Sequence, residues 1–279
     1  SDSQNNFNTS KSSQNSTDTK RDIKLSSTAA SGTFKAASDS ISVSKKSSKT
    51  DQQLKKYQSA LNKDMTFDTF VEGKCNMLAR AAALQIVETI NEGGSNNNYN
   101  PFLIYGGVGL GKTHLIQAIG NTIIAKYPSK KVIYLSTEQF TVEFIDAIQS
   151  GKISEFSSFY KSMDVLIIDD IQFLTGREKT QDLFFHIFNN LHQKRKQIIL
   201  SSDRPPKDLK GMSDRLISRF QWGLSADIQA PDFETRIAIL KNKSSSFGIS
   251  LSNEILDYIA YNITSNIREL EGCLLKLLA

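Results

Sequence analysis

The sequence contains little cysteine and no long hydrophobic run. Of its 279 residues only Cys75 and Cys273 are cysteines, and they lie far apart and outside any metal-ligand spacing. Two reduced thiols in a cytoplasmic protein are therefore expected, rather than a disulfide framework. No apolar run is long enough to span a bilayer, and no apolar segment follows the start as in a secretory signal peptide. No internal repeat is visible. We expect no membrane span, no secretion and no repeat architecture.

Net charge is also scarce outside the N-terminal region. Residues 1–60 carry ten Lys or Arg and five Asp, whereas the remaining 24 basic and 24 acidic residues cancel. The basic pI of about 9.0 therefore says nothing about a nucleic-acid-binding core. Ser, Thr, Lys, Asn and Gln dominate residues 1–50, and this composition buries too little apolar surface to offset the ordering entropy. We expect residues 1–60 to form a disordered linker, with a weak contact to polyanions as the less favoured alternative.

From about residue 61, short apolar runs alternate with amphipathic patterns of helical period. The strand candidates are PFLIYG, KVIYLS, DVLIIDD, QIILSS and LSADIQA. Near-continuous apolar strands separated by helices indicate an α/β fold with a parallel sheet covered on both faces. After Pro231 the patterns are helical only, with Asp232 and Ser252 as candidate N-caps and Gly248 as a stop. The sequence therefore predicts an α/β subdomain over 61–230 and a small all-helical subdomain over 231–279.

The segment GGVGLGKTH follows the first predicted strand and opens a helical pattern. Residues 106–113 match G-x-x-x-x-G-K-T, and a strand before and a helix after are the context this motif requires. Glycines let successive N–H groups surround phosphate oxygens, and the positive end of the helix dipole adds to the attraction. Lys112 is expected to contact the β- and γ-phosphates, and the Thr113 hydroxyl to bind Mg²⁺. The predicted nucleotide-binding residues are Gly107, Val108, Gly109, Leu110, Gly111, Lys112, Thr113 and His114; a plain glycine-rich turn is the alternative.

Two carboxylates end the third predicted strand, DVLIIDD. Asp169 closes a buried apolar strand, where a carboxylate is costly unless it serves a cation, so we expect it to hold Mg²⁺ together with Thr113. Asp170 could orient the attacking water. Two acidic residues that merely cap the next turn are the alternative. Because Asp is shorter than the Glu common at the second position, we expect slow hydrolysis.

Later polar residues distinguish a nucleotide switch from other phosphate-loop proteins. Asp203 follows the next strand and could sense the γ-phosphate, although a strand-ending turn explains this residue more simply. Arg215 and Arg219 lie four residues apart on one predicted helical face, and arginine suits bidentate phosphate contact. We expect both to point away from their own loop, toward a neighbouring subunit or into a solvated basic face. Arg268 begins a helix of the small subdomain and could close on a nucleotide or pair with a glutamate of that helix.

The order of these motifs resembles the AAA+ ATPases, and the particular strings resemble the bacterial chromosomal replication initiators among them. The resemblance covers about residues 64–279. It is carried by TFDTFVEGKCNMLARAAA, YNPFLIYGGVGLGKTHLIQAIGN, LIIDDIQFLTGREKTQDLFFHIFNNL, SSDRPPKDLKGMSDRLISRFQWGL and SNIRELEGCLLKLL. It implies ATP or ADP with Mg²⁺ at the loop, and a catalytic set formed by Asp169 and Asp170 as Walker B, Asp203 as sensor 1, Arg219 as arginine finger and Arg268 as sensor 2. The resemblance also implies that TFDTFVEG packs beside the adenine end of the site, although core positions explain Phe67 and Phe70 more simply.

The family has an extra helical element between its second and third strands, and residues 137–164 hold more than one helical pattern at that place. In the family this insertion makes the oligomer spiral and helps to bind single-stranded DNA. The matching residues here are Ile145, Lys161 and Lys179. The lysines could neutralise phosphates and Ile145 could pack on sugars or bases. Ordinary surface positions are the alternative for all three, and a core position for Ile145.

The resemblance implies an ATP-controlled assembly switch for DNA replication. ATP would drive self-association through the ATP site into a filament on single-stranded and origin DNA, and hydrolysis would reset it. The replicative helicase and regulators are further candidate partners. Full initiators also carry an N-terminal interaction domain and a C-terminal helix-turn-helix domain; neither pattern is visible, so we expect a fragment. The alternatives are a helicase loader or regulatory paralogue, a small-molecule phosphate-loop kinase, and a scaffold that needs no nucleotide.

Overall fold

The structure is a computed structural model that describes residues 53–58, 60–91 and 99–278. Most of the predicted linker, residues 1–52 and 59, lies outside the described residues. Residues 53–58 are helical, and Leu54 and Tyr57 of this segment are buried in a hydrophobic core. The folded part therefore begins before the predicted boundary at residue 60, because burial of these two apolar side chains removes them from water and stabilises the segment.

Five parallel strands form one sheet in the order β2-β3-β4-β1-β5. They are β1 (Phe102–Tyr105), β2 (Val132–Ser136), β3 (Val165–Asp169), β4 (Gln197–Ser202) and β5 (Leu224–Asp227). Each lies within one of the apolar runs that predicted it, so the predicted parallel sheet is confirmed. Because all strands run the same way, the loops after β1, β3 and β4 meet at one edge of the sheet.

Alternate residues of each strand face two hydrophobic cores, one on each side of the sheet. In β3, Leu166 and Ile168 belong to one core, whereas Val165 and Ile167 belong to the other. Helices cover both faces, which is why the strands are apolar on both sides. The helices are α1 (Met77–Thr89), α2 (Lys112–Lys126), α3 (Thr137–Gln149), α4 (Ile153–Lys161), α5 (Glu178–Gln193), α6 (Asp214–Phe220), α7 (Phe233–Ser246), α8 (Asn253–Asn262) and α9 (Ile267–Leu278), with short 3₁₀ turns at Ile171–Leu174 and Pro206–Asp208.

Helix α1 is an element that the sequence analysis did not predict. Its buried side chains include Ala79, Ala82, Ala83 and Ile86, which recur at helical spacing. Small alanines make this buried stripe weaker as a signal than the leucine and isoleucine stripes of the other helices, because they add little apolar area. The spacing itself was present in the sequence and could have identified the helix.

Helices α7, α8 and α9 pack around a small core of their own, which includes Leu240, Leu256 and Leu270. The Asp232 carboxylate caps α7 by accepting from the Thr235 N–H at 2.9 Å, as the sequence predicted. Gly248, at φ 73°, follows the end of that helix, which agrees with its predicted role as a stop. These three helices are the predicted helical subdomain and are called the lid below.

Two helices, α3 and α4, connect β2 to β3, so the predicted extra helical element is present. Tyr57 donates a hydrogen bond to Glu143 of α3, and Tyr160 of α4 donates to the same carboxylate at 2.7 Å. Residues 53–58 are thereby tied to this pair of helices. Within the part of the chain that the structure describes, no helix combines the length and apolar character needed to cross a bilayer.

Candidate nucleotide-binding site

The glycine-rich loop joins β1 to α2 in a conformation that needs glycine. Gly109 has φ 75° and Gly111 has φ 98°, and both values lie in the left-handed region. A Cβ atom on Gly109 would lie 3.0 Å from the Asn266 side-chain oxygen, and one on Gly111 would lie 3.3 Å from Phe70. Any residue with a Cβ would be strained at these two positive φ values, and its Cβ would also crowd a neighbouring side chain. Helix α2 begins at Lys112 immediately after the loop.

The Lys112 side chain turns back over this loop. Its ammonium donates to the Gly106 carbonyl at 2.9 Å and to the Gly107 carbonyl at 2.8 Å. Burial lowers the pKa of Lys112, and the nearby carboxylates of Asp170 and Asp169 oppose that shift. The site thus holds a buried cation at the start of a helix, where backbone N–H groups also favour an anion.

Asp169 ends β3 beside this lysine and is 4% exposed. The Ser201 hydroxyl donates to one carboxylate oxygen, and the Tyr134 hydroxyl donates to the other at 3.1 Å. Burial raises the pKa of Asp169 above its ordinary range and Asp170 adds to that effect, whereas hydrogen bonds, including one with Thr113, act against it. Burial makes the charged form of this carboxylate unfavourable, so a bound cation would stabilise it.

Asp170 and Asp203 are the first residues of the loops after β3 and β4. Asp170 has φ 59°, a left-handed conformation that aspartate tolerates better than most residues, and its N–H donates to Ser201 at 2.8 Å. The Asp203 carboxylate accepts two hydrogen bonds from the neighbouring Arg204 guanidinium, at 2.8 and 2.6 Å. Arg204 therefore holds the pKa of Asp203 below its usual range. The sequence analysis did not anticipate this pairing.

A cavity of about 540 Å³ lies over the loop. Of the predicted nucleotide-binding and catalytic residues, those that line it are Val108, Gly109, Gly111, Lys112, Thr113, His114, Asp170 and Arg268. Gly107, Leu110, Asp169 and Asp203 do not line it. The Leu110 side chain is instead buried in the core that also contains side chains of α1 and α2. Leu110 is thus a core side chain within the predicted binding segment.

Arg268 reaches the cavity from the lid. It lies near the start of α9, where the Ile267 N–H donates to the Gly109 carbonyl at 2.9 Å. The glutamates of that helix have other partners: Glu271 pairs with Lys243 at 2.7 Å, and Glu269 accepts from Ser265. The lid therefore meets the glycine-rich loop directly and presents a guanidinium to the same space.

The segment before α1 forms another wall of the cavity. Phe67 and Phe70 are both core residues, and Phe70 also lines the cavity, with its ring centre 5.3 Å from that of His114. The His114 ring donates from Nε2 to the Thr66 carbonyl at 2.9 Å, and burial lowers the pKa of His114. His114 therefore links the loop helix to this segment.

Several lining residues were missed by the sequence analysis: Asn62, Asp64, Met65, Asn76, Gln172, Phe173, Ile239, Asn242 and Lys243. Most of them come from segments far from the loop in sequence. A chain path that folds back over the loop leaves no local pattern in the sequence, so these residues could not be assigned to the site from the sequence alone. Thr69 and Val71, which also line the cavity, belong to the TFDTFVEG segment that the family resemblance placed beside the site.

Arg215 and Arg219 lie outside the cavity, on a face formed by α5 and α6. The Arg215 guanidinium lies 4.5 Å from the Phe185 ring centre and pairs with Asp182. That of Arg219 lies 3.6 Å from the Trp222 ring centre. Neither residue lines the cavity.

The three predicted DNA contacts lie on α3, α4 and α5. Ile145 of α3 is 45% exposed, so it is not a core residue. Lys161 ends α4 and Lys179 is exposed in the first turn of α5. Surface positions are thus common to all three.

Four features together define a phosphate-loop nucleotide-binding protein of the AAA+ class. They are a parallel sheet in the order β2-β3-β4-β1-β5, a glycine-rich loop with a buried lysine after β1, a carboxylate at the end of β3, and a helical lid. Residues 61–227 match the family described as "Bacterial DnaA ATPAse domain". The chain belongs to this family.

Individual relatives agree with this assignment. The chromosomal replication initiator protein DnaA of Chlorobaculum tepidum is 57% identical over 224 residues, which are 80% of this chain and 45% of that protein. The chain thus spans less than half the length of this relative. The crystal structure of domain III of the Thermotoga maritima replication initiation protein DnaA superposes with a TM-score of 0.74 at 44% identity, covering 78% of this chain and 89% of that one. A replication initiator DnaA bound to AMPPCP and single-stranded DNA gives a TM-score of 0.70 at 45% identity over 78% of this chain and 65% of that one.

Proposed function

We propose that this chain is the ATP-dependent switch of a chromosomal replication initiator. It binds ATP or ADP in the cavity over the glycine-rich loop, hydrolyses ATP slowly, and uses the difference between the two nucleotides to control self-association on DNA. The observation that carries this proposal is the cavity itself. Lys112, Asp170 and Arg268 of the lid all line it, over a loop whose left-handed conformation at Gly109 and Gly111 favours glycine.

Phosphate binding rests on groups that are already directed at the cavity. Lys112 holds its ammonium between two loop carbonyls, so its position costs little further ordering when a phosphate arrives. The N–H groups at the start of α2 add the positive end of a helix. In the relative described above the ligand is the ATP analogue AMPPCP, which supports a triphosphate as the natural occupant.

Thr113 and Asp169 fit a magnesium site. A hydroxyl and a carboxylate are oxygen ligands, and the two side chains share a hydrogen bond. Mg²⁺ usually takes only one or two protein ligands and leaves its other positions to water and phosphate oxygens. When bound, the ion would neutralise charge on the β- and γ-phosphates. Asp169, which is costly to bury as a bare anion, would then gain a partner.

The remaining polar residues have distinct roles in ATP hydrolysis. A water oxygen bonds to the γ-phosphorus as the bond to the β–γ bridging oxygen breaks, which releases ADP and inorganic phosphate. Asp170 orients that water, Asp203 responds to the γ-phosphate at the end of β4, and Arg268 contacts the phosphates from the lid. The lid also hydrogen-bonds to the Gly109 carbonyl. Loss of the γ-phosphate therefore changes the position of the lid relative to the loop.

Self-association assigns Arg219 to a neighbouring subunit. Its guanidinium lies outside its own cavity, which supports contact with the γ-phosphate of a second copy. ATP offers that contact and ADP does not, so the two nucleotides differ in the stability of the subunit junction. Arg215 lies on the same face and would contribute to the junction.

DNA contact is assigned to α3, α4 and the start of α5. Ile145 offers an exposed apolar surface for bases, and Lys161 and Lys179 offer charge for phosphates. The relative with single-stranded DNA supports this class of ligand. Origin duplex, the replicative helicase and regulators are partners of the whole initiator, in the bacterial cytoplasm where the chromosome lies. The relatives at 44–57% identity are initiators, which favours this function over the helicase loader, the kinase and the scaffold.

One experiment tests the switch directly. The mass of the chain in solution is measured with ATP and with ADP at matched concentrations, with and without single-stranded DNA. We expect larger assemblies with ATP than with ADP, and an increase when DNA is added. Equal masses with the two nucleotides would overturn the switch, and absence of ATP binding by calorimetry would overturn the nucleotide site itself.

A further inference from the structure

Gln172 lies between two of the loops that form the nucleotide site. It belongs to the 3₁₀ turn Ile171–Leu174, which follows Asp170, and it lines the cavity. Its side-chain Nε2 donates to one carboxylate oxygen of Asp170 at 2.9 Å. Its Oε1 accepts from the Asp203 backbone N–H at 3.2 Å. A single amide therefore joins the end of β3 to the end of β4.

The partners determine which way this amide points. A backbone N–H can only donate, so the amide oxygen must face Asp203. An ionised carboxylate can only accept, so the amide nitrogen must face Asp170. If the amide were rotated by half a turn, its oxygen would face the acceptor oxygen of Asp170 and its nitrogen would face the donor N–H of Asp203. Neither pair could form a hydrogen bond. The hydrogen-bond pattern therefore specifies one orientation of Gln172 while Asp170 is charged.

The turn does not need this side chain in order to form. The Phe173 N–H donates to the Asp170 carbonyl at 3.1 Å, and the Thr175 N–H donates to the Gln172 carbonyl at 3.1 Å. The Thr175 hydroxyl also donates to that carbonyl at 2.7 Å. Backbone groups and Thr175 thus close the turn, which leaves the Gln172 amide available for the site.

We propose that Gln172 is a positioning residue for ATP hydrolysis, a role that rests on the function proposed above. Its N–H₂ group holds one carboxylate oxygen of Asp170, so the carboxylate cannot rotate freely and the second oxygen remains free for the attacking water. Its oxygen ties the same amide to the β4 tip that carries Asp203. Movement of Asp203 in response to the γ-phosphate is thereby transmitted to the carboxylate that orients the water.

Two substitutions separate this role from simple packing. Gln172→Met keeps the length and volume of the side chain but removes both hydrogen bonds. Gln172→Glu keeps an acceptor for the Asp203 N–H but removes the donor to Asp170 and adds a negative charge beside it. The matched control is Gln139→Met, because Gln139 also donates to a carboxylate, that of Glu143 at 3.0 Å, and does not line the cavity.

The measurements are the rate of ATP hydrolysis at saturating ATP, the ATP dissociation constant and the thermal unfolding midpoint. For both Gln172 variants we expect a hydrolysis rate lowered by about tenfold or more, because a misplaced catalytic group loses the benefit of orientation. We expect the dissociation constant to change by less than about threefold, and the midpoint to match that of Gln139→Met.

The outcomes are distinguishable. Hydrolysis by both Gln172 variants within twofold of the unaltered chain would overturn the positioning role, while leaving the ATPase itself intact. Equal losses of rate and ATP affinity, together with a lowered unfolding midpoint, would also overturn it, because a structural brace predicts that pattern. Absence of hydrolysis in the unaltered chain would instead overturn the proposed ATPase function, and this inference with it.

Discussion

The guanidinium carbon of Arg219 lies 3.6 Å from the centre of the Trp222 ring. The same ring lies 5.2 Å from that of His192, and 53% of the Trp222 surface remains exposed. A partly exposed aromatic ring therefore holds the Arg219 guanidinium at a place outside its own nucleotide cavity. This arrangement suits an arginine that completes the site of another subunit.

Replacing Arg219 with alanine tests that arrangement. Because Arg219 does not line its own cavity, Arg219→Ala should leave the ATP affinity of the monomer nearly unchanged and abolish ATP-dependent assembly. Calorimetry measures the affinity and sedimentation measures the assembly. Arg177→Ala, at an exposed arginine before α5, serves as the control and should assemble normally. If Arg219→Ala also assembles normally with ATP, Arg219 is not the arginine finger.

Trp222 should support assembly through its contact with Arg219. A cation–π contact at an exposed site contributes about 0.5–1 kcal/mol, so Trp222→Ala should raise the protein concentration needed for assembly by about two- to fivefold. Trp222→Phe retains a ring and should lie close to the unaltered chain. Trp222 is the single tryptophan of the chain, so its fluorescence should also change when assembly covers it. Emission that is identical with ATP and ADP at assembling concentrations would contradict this placement.

Asp169→Asn should separate stability from nucleotide binding. The substitution removes a buried charge beside Asp170, so without nucleotide the unfolding midpoint should stay the same or rise. ATP with Mg²⁺ at 100 times its dissociation constant should stabilise the unaltered chain by about 2.7 kcal/mol, and the variant should lose most of this gain. Asp227→Asn, at the end of β5 and away from the cavity, is the control. A variant that retains the full gain would show that Asp169 does not serve Mg²⁺.

Lys161 and Lys179 should contribute charge to DNA binding. Replacing both with alanine should weaken binding of single-stranded DNA and reduce the dependence of log affinity on log salt concentration by about 1–2. Fluorescence anisotropy at several salt concentrations measures both quantities. Lys194→Ala, just beyond the other end of α5, provides the matched control. An unchanged salt dependence in the double variant would remove these lysines from the DNA surface.

Asp164 should make stability depend on pH. Burial by itself would raise the pKa of Asp164, but the Lys131 N–H at 2.8 Å and the Lys196 ammonium at 2.6 Å outweigh it and hold the pKa below its ordinary value. The folded protein therefore binds this proton less tightly than the unfolded chain does. The resulting stabilisation is present above the ordinary Asp pKa of about 3.9 and is lost as pH falls through the lower folded-state value.

Asp164→Asn should accordingly cost about 1 kcal/mol of unfolding free energy at neutral pH, and the cost should shrink as the pH falls below about 4. Denaturant unfolding at a series of pH values measures this difference. Asp257→Asn, at an exposed position of α8, should show little cost at any pH. A difference for Asp164→Asn that stays constant with pH would contradict the proposed charge contacts.

Some parts of the site could be predicted from the sequence and others could not. The glycine-rich loop and the strand-ending Asp169 were predictable, because a local motif and a local apolar run are sufficient to define them. Gln172 was not, since its importance lies in contacts with Asp170 and Asp203 that depend on β3 and β4 being neighbours. The wall before α1, including Phe70, was expected near the nucleotide only through a family resemblance. Its contact with His114 depends on how the chain returns to the loop.

The sequence by itself determined the five strands, the helices that follow the first strand, the place of the phosphate loop and the family. Apolar periodicity, caps and motif spacing act over a few residues, so each of these features can be seen without knowing its distant neighbours. Only the tertiary structure decided that Arg268 enters the cavity, that Arg219 stacks on Trp222 outside it, and that residues 53–58 join the core. These outcomes depend on the strand order β2-β3-β4-β1-β5 and on competition among many buried surfaces, which no local stretch of sequence specifies.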